Sequence, residues 1–266
     1  MVVMTNRIIT LTTDFGLRDP YVAEMKAVIL AISPKTTIID ISHGIEKYNI
    51  RTGAFVLASA FQYFPKDAIH VAVVDPEVGT KRRPIIIETE KGFLIGPDNG
   101  VLALAANKQN IRQIREITNQ KLMLPKVSST FHGRDIFAPA AAHLANEMPL
   151  EKFGPKISKI VKSQFAKVAK KKKKLEGEVL HVDDFGNIIT NFSKKDLGRL
   201  RIKRIFDIQF KEATLKLKFC KSYAETKKQE PLTIIGSHDF LEISINQGNA
   251  AKTFKVRDGD KVTLYL

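Results

Sequence analysis

Three stretches of the chain put ionisable side chains where a reaction could use them. In VAVVDPEVGTKRRP (71–84) an apolar run stops at Asp75, and Arg82 and Arg83 follow within one loop. A carboxylate there can grip an arginine's fork through two parallel hydrogen bonds, or accept hydrogen bonds from a diol such as a ribose. In STFHGRDIFAPAAA (129–142), His132 precedes Gly133 and the pair Arg134 and Asp135. Histidine is the side chain best suited to move a proton near neutral pH, and the glycine beside it permits close backbone approach. Asp135 stands where a following helix wants an N-cap, which makes it structural. In TTDFG, Asp14 ends another apolar run, and Asp40 in IIDIS is the weakest member of the same series.

The elements that must position these residues are readable. RIITLTT (7–13), TIIDIS (37–42) and IHVAVV (69–74) are short and β-branched, and the segments between them, 21–32 and 49–64, carry apolar residues at helical spacing. That alternation predicts parallel strands with helical crossovers, hence an N-terminal layered α/β domain with a largely parallel sheet. Ligands of such sheets sit beyond the carboxyl ends of the strands, where Asp14, Asp40 and Asp75 are expected. PIIIETE and GFLIG follow as strands; in GPDNG, Asp98 or Asn99 is expected to cap the next helix, and a later helix should run from about Asp135 to Asn146.

Beyond the middle of the chain the pattern changes. GEVLHVDD, NIITNFS, RIFDIQF, ATLKLKF, LEISI, AKTFKV and KVTLYL are closely spaced short runs, which predict a smaller C-terminal antiparallel β-barrel domain. Expected boundaries are 1–155 for the first domain, 156–176 for a basic linker and 177–266 for the second. IxxIVxxxF from Ile157 fits a short amphipathic helix or an edge strand equally. In the second domain HVDDFGNIITNF offers Asp183, Asp184, Phe185 and Asn187 around a glycine turn, and GSHDFLEISINQGNAA offers Ser237, His238 and Asn246. Taken singly, each is an ordinary hairpin signature.

Composition limits the alternatives. The chain has 266 residues, 44% hydrophobic and 27% charged, as a globular protein should. No apolar run approaches the roughly 20 residues of a membrane helix, and the start lacks a cleavage pattern, so a cytoplasmic location is expected. One cysteine, Cys220, excludes an internal disulfide and lacks the neighbours of a zinc site. The formal charge of +15 invites a nucleic-acid reading, yet nine of the 43 Lys and Arg, and none of the 28 Asp and Glu, fall between Lys156 and Lys174. Such a run reads first as a solvated linker or edge. A metal-dependent phosphohydrolase would need a His/Asp cluster at ligand spacing, which is missing, so no metal is expected.

TLTTDFGLRDPYVAEMK, VVDPEVGTKRR, GPDNG, STFHGRDIFAPAAA, VDDFGNIITNF and GSHDFLEISINQGNAA, in this order over nearly the whole chain, resemble the S-adenosyl-L-methionine (SAM) hydroxide adenosyltransferases, relatives of the fluorinases and chlorinases. The resemblance implies hydrolysis of SAM to adenosine and methionine without cofactor or metal. It also implies a homotrimer whose active sites lie between one subunit's first domain and its neighbour's second. Matched by position, the family's catalytic Asp, Arg and His fall on Asp75, Arg82 and His132. Asp14 matches the ribose-holding acid, Tyr48 an aromatic near the nucleoside, and Tyr223 an adenine-facing aromatic. Asp183, Asn187 and Ser237 resemble residues gripping the methionine end or the adenine edge, and Phe185 and Asn246 are counted with them. The resemblance leaves His132 to orient a water or to receive its proton. In the halogenating relatives a serine stands where this chain has Gly133, so hydrolysis is expected over halogenation. Glu77 departs from the family's glycine, facing solvent or competing for Arg82. The remaining alternative is a basic nucleic-acid-binding module.

Overall fold

The computed structural model describes residues 7–163, 165, 167–198, 205–210 and 213–265. Two compact units divide it, Met1–Ser163 and Gln164–Leu266. The first is built on a seven-stranded sheet of β1 (Ile8–Thr13), β2 (Thr37–Ser42), β3 (Ala68–Val73), β4 (Pro84–Thr89), β5 (Gly92–Pro97), β6 (Ile111–Glu116) and β7 (Lys156–Ile157), in the order β2-β1-β3-β5-β4-β6-β7. β2, β1, β3 and β5 are parallel; β4, β6 and β7 add on antiparallel. β3 is buried along its whole length, which is why its sequence is a continuous apolar run rather than an alternating one.

Four helices cover the sheet: α1 (Tyr21–Ile32), α2 (Ile50–Phe61), α3 (Ala103–Lys108) and α4 (Ala138–Ala145). Ile9, Leu11, Ile69, Val71 and Val73 share a core with Met25 and Ile29 of α1 and the alanines of α4. Small residues on α4 let the helices approach, and the Phe61 ring of α2 packs at a tilt against buried His70, centroids 4.3 Å apart. Thr10 Oγ1 and His70 Nδ1 meet at 2.8 Å, and burial pushes the His70 pKa down to about 3, so this imidazole stays neutral.

The second unit is a barrel. β8 (Ala169–Lys171), β9 (Lys174–Val182), β10 (Ile188–Ser193), β11 (Ile205–Phe210), β12 (Ala213–Phe219), β13 (Pro231–Ile235), β14 (Phe240–Ile245) and β15 (Lys261–Tyr265) pair in the order β10-β14-β13-β12-β11-β15-β9-β8, and β9 also returns to β10. All barrel pairs are antiparallel except β12 with β13. Closure removes exposed edges, and alternate residues such as Phe206, Ile208, Phe210, Val262 and Leu264 fill the interior.

Several local expectations need correction. AKTFKV contains a helix, α6 (Ala250–Phe254), preceded in the chain by the short α5 (Lys194–Leu197); the Asn249 side chain caps α6 by accepting from Lys252 N at 2.7 Å. Asn99 does not cap α3 but accepts from Val101 N two residues on, and Asp98 is drawn away to Arg83. Strands β6, β8 and β13 lie outside the sequence expectation. At Ile157 the chain ends a two-residue edge strand, β7 (Lys156–Ile157), and none of the described residues from there to Phe165 is helical. The basic stretch is partly ordered into sheet: Lys170 pairs with Asp196 at 2.8 Å, and Lys171 and Lys174 with Glu176 at 2.7 and 2.6 Å. No helix among the described residues is long and apolar enough to cross a membrane.

Candidate active site

The loop leaving β3 carries the opposed charges. Arg82 Nε donates to Asp75 Oδ1 and Oδ2 at 3.1 and 2.9 Å, and Nη2 donates to Oδ2 at 2.5 Å. Nη2 also lies 2.7 Å from His132 Nδ1. Both side chains of the ion pair are 4% exposed, so each charge depends on the other. Arg82 lies over the Phe137 ring at 5.3 Å, and its Nη1 is buried with no protein partner. The fork is therefore fixed on one side and has an uncommitted donor on the other.

Close packing brings the two loops together. Gly79 has φ +79°, and a Cβ there would lie 2.3 Å from the Ser129 carbonyl oxygen. Only glycine permits that backbone contact, which seats the Arg82 loop on the His132 loop. His132 in turn enters a π turn, Gly133–Phe137, ahead of α4. Asp135 is not an N-cap: it is fully buried within this turn, accepting from Ser128 N at 2.8 Å and Arg134 Nε at 2.7 Å. It tethers the strand of chain that carries His132. Burial, then the neighbouring Arg82 charge, pushes the His132 pKa below its ordinary value, although Asp75, Asp135 and the Ser128 backbone pull the other way.

Asp14 follows β1 directly and is buried, with Oδ2 accepting from Tyr48 N at 2.8 Å. Tyr48 has φ +65°, and its side chain is exposed beside this acid. Asp40 lies inside β2 rather than past its end, paired with Lys26 at 2.6 Å. Phe15, Tyr21 and Phe131 form a trio with edge-to-face geometry, centroids 5.2 to 6.0 Å apart, joining the Asp14 loop to the His132 loop. These aromatics were missed, though each of Phe15 and Phe131 adjoins a charged motif residue. A Cβ at Gly133 would lie 3.2 to 3.3 Å from Phe131, Met25 and Phe15.

Glu77 is exposed and makes no ion pair with Arg82. It lines an open cleft of about 580 Å³ with Thr80, Lys81, Arg82, Arg83, Asp98 and Val161. Arg83 donates to Asp98 through Nε and Nη2 at 3.1 and 2.5 Å, bracing one wall.

Within the barrel unit, Asp183 and Asn187 close the β9–β10 turn on each other: Asp183 Oδ1 accepts from Asn187 N and Oδ2 from Asn187 Nδ2, at 2.8 and 2.9 Å. Phe185, between them, is exposed. Tyr223 donates to buried Glu242 at 2.6 Å; burial and that carboxylate push its phenol pKa upward. Ser237 meets His238 Nδ1 at 3.4 Å on the surface, and Asn246 Nδ2 donates to the Thr226 carbonyl at 2.7 Å. Asp183, Asn187 and Asn246 therefore have structural work in their own turns. Among the described residues no cluster of three His, Cys, Asp or Glu is arranged to hold a metal ion.

Comparison with known proteins shows the family of the chain. The profile of the SAM hydroxide adenosyltransferase N-terminal domain matches residues 9–154 and that of the C-terminal domain residues 177–263. A (R)-S-adenosyl-L-methionine hydrolase from Methanocaldococcus jannaschii is 41% identical over 266 residues, spanning 97% of this chain and 95% of that protein. A fluorinase from Actinoplanes sp. is more distant, 25% identical over 97% of each chain. A crystal structure of an uncharacterized conserved protein from Thermotoga maritima superposes with a TM-score of 0.91 at 36% identity, covering 97% of this chain and all of that one.

Proposed function

We infer, since this chain belongs to the SAM hydroxide adenosyltransferase family across both its domains, that it hydrolyses S-adenosyl-L-methionine to adenosine and L-methionine. In that reaction a water oxygen forms a bond to the ribose 5′ carbon while the carbon–sulfur bond breaks. The bonding pair leaves with sulfur, which becomes a neutral thioether, and one proton is released. The sulfonium is already a good leaving group, so the protein's task is to place and polarise the nucleophile in line with that carbon.

The observation that carries the site assignment is the uncommitted, buried Nη1 of Arg82. A guanidinium nitrogen only donates, so His132 Nδ1 must accept from Nη2, and the neutral ring's proton sits on Nε2. His132 in this state has no free lone pair with which to take a proton from water. Its role is to hold the guanidinium and orient the nucleophile; Arg82 favours the hydroxide-like form of the water before attack, a charge that is spent as the oxygen bonds to carbon, and the proton passes to solvent or to Asp75, the acceptor among the three. Asp14 takes the ribose hydroxyls with Tyr48 beside the nucleoside, and Asp183, Phe185, Asn187, Tyr223, Ser237 and Asn246 supply the remaining substrate contacts from the barrel. Those contacts come from a neighbouring subunit in a homotrimer, which the mass of the purified protein in solution tests.

Incubation with SAM in ¹⁸O-water should place the label in adenosine, with chloride giving no halogenated nucleoside. The hydrolase relative is named for the (R) form of the substrate, and we extend that preference to this chain. Resolved sulfonium epimers supply the comparison, and equal turnover of both would remove it.

Both roles of His132 need the neutral ring and so share one acid limb; substitution separates them. Its folded pKa is lowered, so the neutral ring's contribution is fully present above the ordinary histidine value and is lost as pH falls through the lowered one. Activity should therefore fall on an acid limb centred below about 6.5. His132→Asn, whose amide oxygen can replace Nδ1 as acceptor, should flatten that limb and keep far more activity than His132→Ala. Equal loss in both variants would restore the general-base role.

A further inference from the structure

A second line of polar side chains runs along the parallel edge of the first sheet and ends beside Asp14. β1 and β2 pair from Ile8 with Thr37 to Leu11 with Asp40, then slip, so that Thr12 pairs with Ser42. The extra residue, Ile41, disturbs β2 locally, and the chain beyond it brings His43 back to Asp40. His43 is buried, with Nδ1 2.8 Å from Thr13 Oγ1 and Nε2 facing Asp40 Oδ1 at 3.1 Å. Asp40 Oδ2 accepts from Lys26 at 2.6 Å. Burial opposes ionisation of Asp40, but the Lys26 and His43 contacts hold its carboxyl below the ordinary value.

The polarity of this line follows from its members. An ionised Asp40 only accepts, so the facing Nε2 carries the ring proton, and Nδ1 accepts from the Thr13 hydroxyl. Thr13 Oγ1 also accepts from Phe15 N at 3.2 Å, and the His43 carbonyl accepts from Gly16 N at 2.8 Å. His43 thus holds the chain on both sides of Asp14. Asp14 itself is held by the next few residues: Tyr48 N donates to its carboxylate and Lys47 Nζ to its carbonyl, at 2.8 and 2.5 Å.

We propose that Thr13 and His43 are positioning residues that fix the Asp14 carboxylate for a vicinal diol of the substrate. A carboxylate that accepts from two adjacent hydroxyls must be oriented closely, and a loop released from His43 offers it in many orientations. The loss falls on binding shared by ground and transition states, hence on KM rather than kcat. The proposal rests on the reading of Asp14 as the ribose acid.

Steady-state hydrolysis of SAM by the full chain tests it with Thr13→Val, Thr13→Ser, His43→Asn, His43→Ala, Asp14→Asn and the Thr13→Val/Asp14→Asn double variant. Thr13→Val should raise KM about tenfold, the worth of one buried hydrogen bond, with kcat nearly unchanged. Thr13→Ser should restore the parent KM, and His43→Asn, whose amide reaches the Nδ1 position, should do better than His43→Ala. The double variant should be no worse than Asp14→Asn alone, because the two residues act through one contact. If Thr13→Val does not fold, the two His43 variants carry the same comparison. A parent-like KM in Thr13→Val, or full additivity with Asp14→Asn, overturns the positioning role while leaving Asp14 as the ribose acid. A loss of melting temperature and kcat at constant KM overturns it too, since the hydroxyl would then be only a fold contact. A parent-like KM in Asp14→Asn removes Asp14 from the site and the proposal with it.

Discussion

Asp75→Ala should lose most turnover and unfold more easily by about 3–5 kcal/mol, the cost of leaving one member of a buried ion pair without its partner. The Arg82 guanidinium has 4% exposure and three of its hydrogen bonds go to Asp75. Without them the fork has only Nη2 with His132 and the face of Phe137 to hold it. Urea denaturation and a SAM hydrolysis assay on the same preparation check both halves. A variant with parent stability and parent turnover would show that the pair is ornamental to both fold and site. Asp75→Asn is the milder companion, keeping an acceptor for the guanidinium while removing the charge.

Arg82→Lys tests what the guanidinium supplies beyond charge. Lysine keeps the positive charge but has one nitrogen, which cannot grip Asp75 at two points, reach His132 and still present a donor to the substrate. Turnover should fall about 10²- to 10³-fold, comparable with deleting a preorganised donor to an anionic oxygen, and KM should change little. Circular dichroism should be near that of the parent, because the buried carboxylate retains a cation. If the lysine enzyme turns over at the parent rate, charge alone suffices and the free Nη1 has no role.

The candidate loops were legible because each is a contiguous motif beside a readable element: Asp14 after β1, Asp75 after β3, and His132 ahead of a small-residue helix. The crossover pattern likewise located the parallel half of the first sheet, since β-branched runs and helical spacing are local signals. Interactions between distant segments were not legible. Phe15, Tyr21 and Phe131 meet only when α1 and the His132 loop pack together, and nothing in their spacing announces it. The slip after Leu11 that precedes His43 depends on strand pairing. Asp135 looked like a cap because acids before helices usually are; the π turn adds backbone that lets it point inward to Ser128 instead. AKTFKV reads as an alternating strand, but the Asn249 cap and two alanines decide for helix over so short a run.

The seat of Gly79 on the Ser129 carbonyl has a consequence for anyone altering this scaffold. Arginine and histidine sit on segments that lock like two gear teeth, so a graft, insertion or deletion in either segment misplaces both groups at once. New reactivity is better sought by changing residues that border this joint without forming it, such as Glu77, whose outward side chain can be exchanged without moving the backbone beneath it.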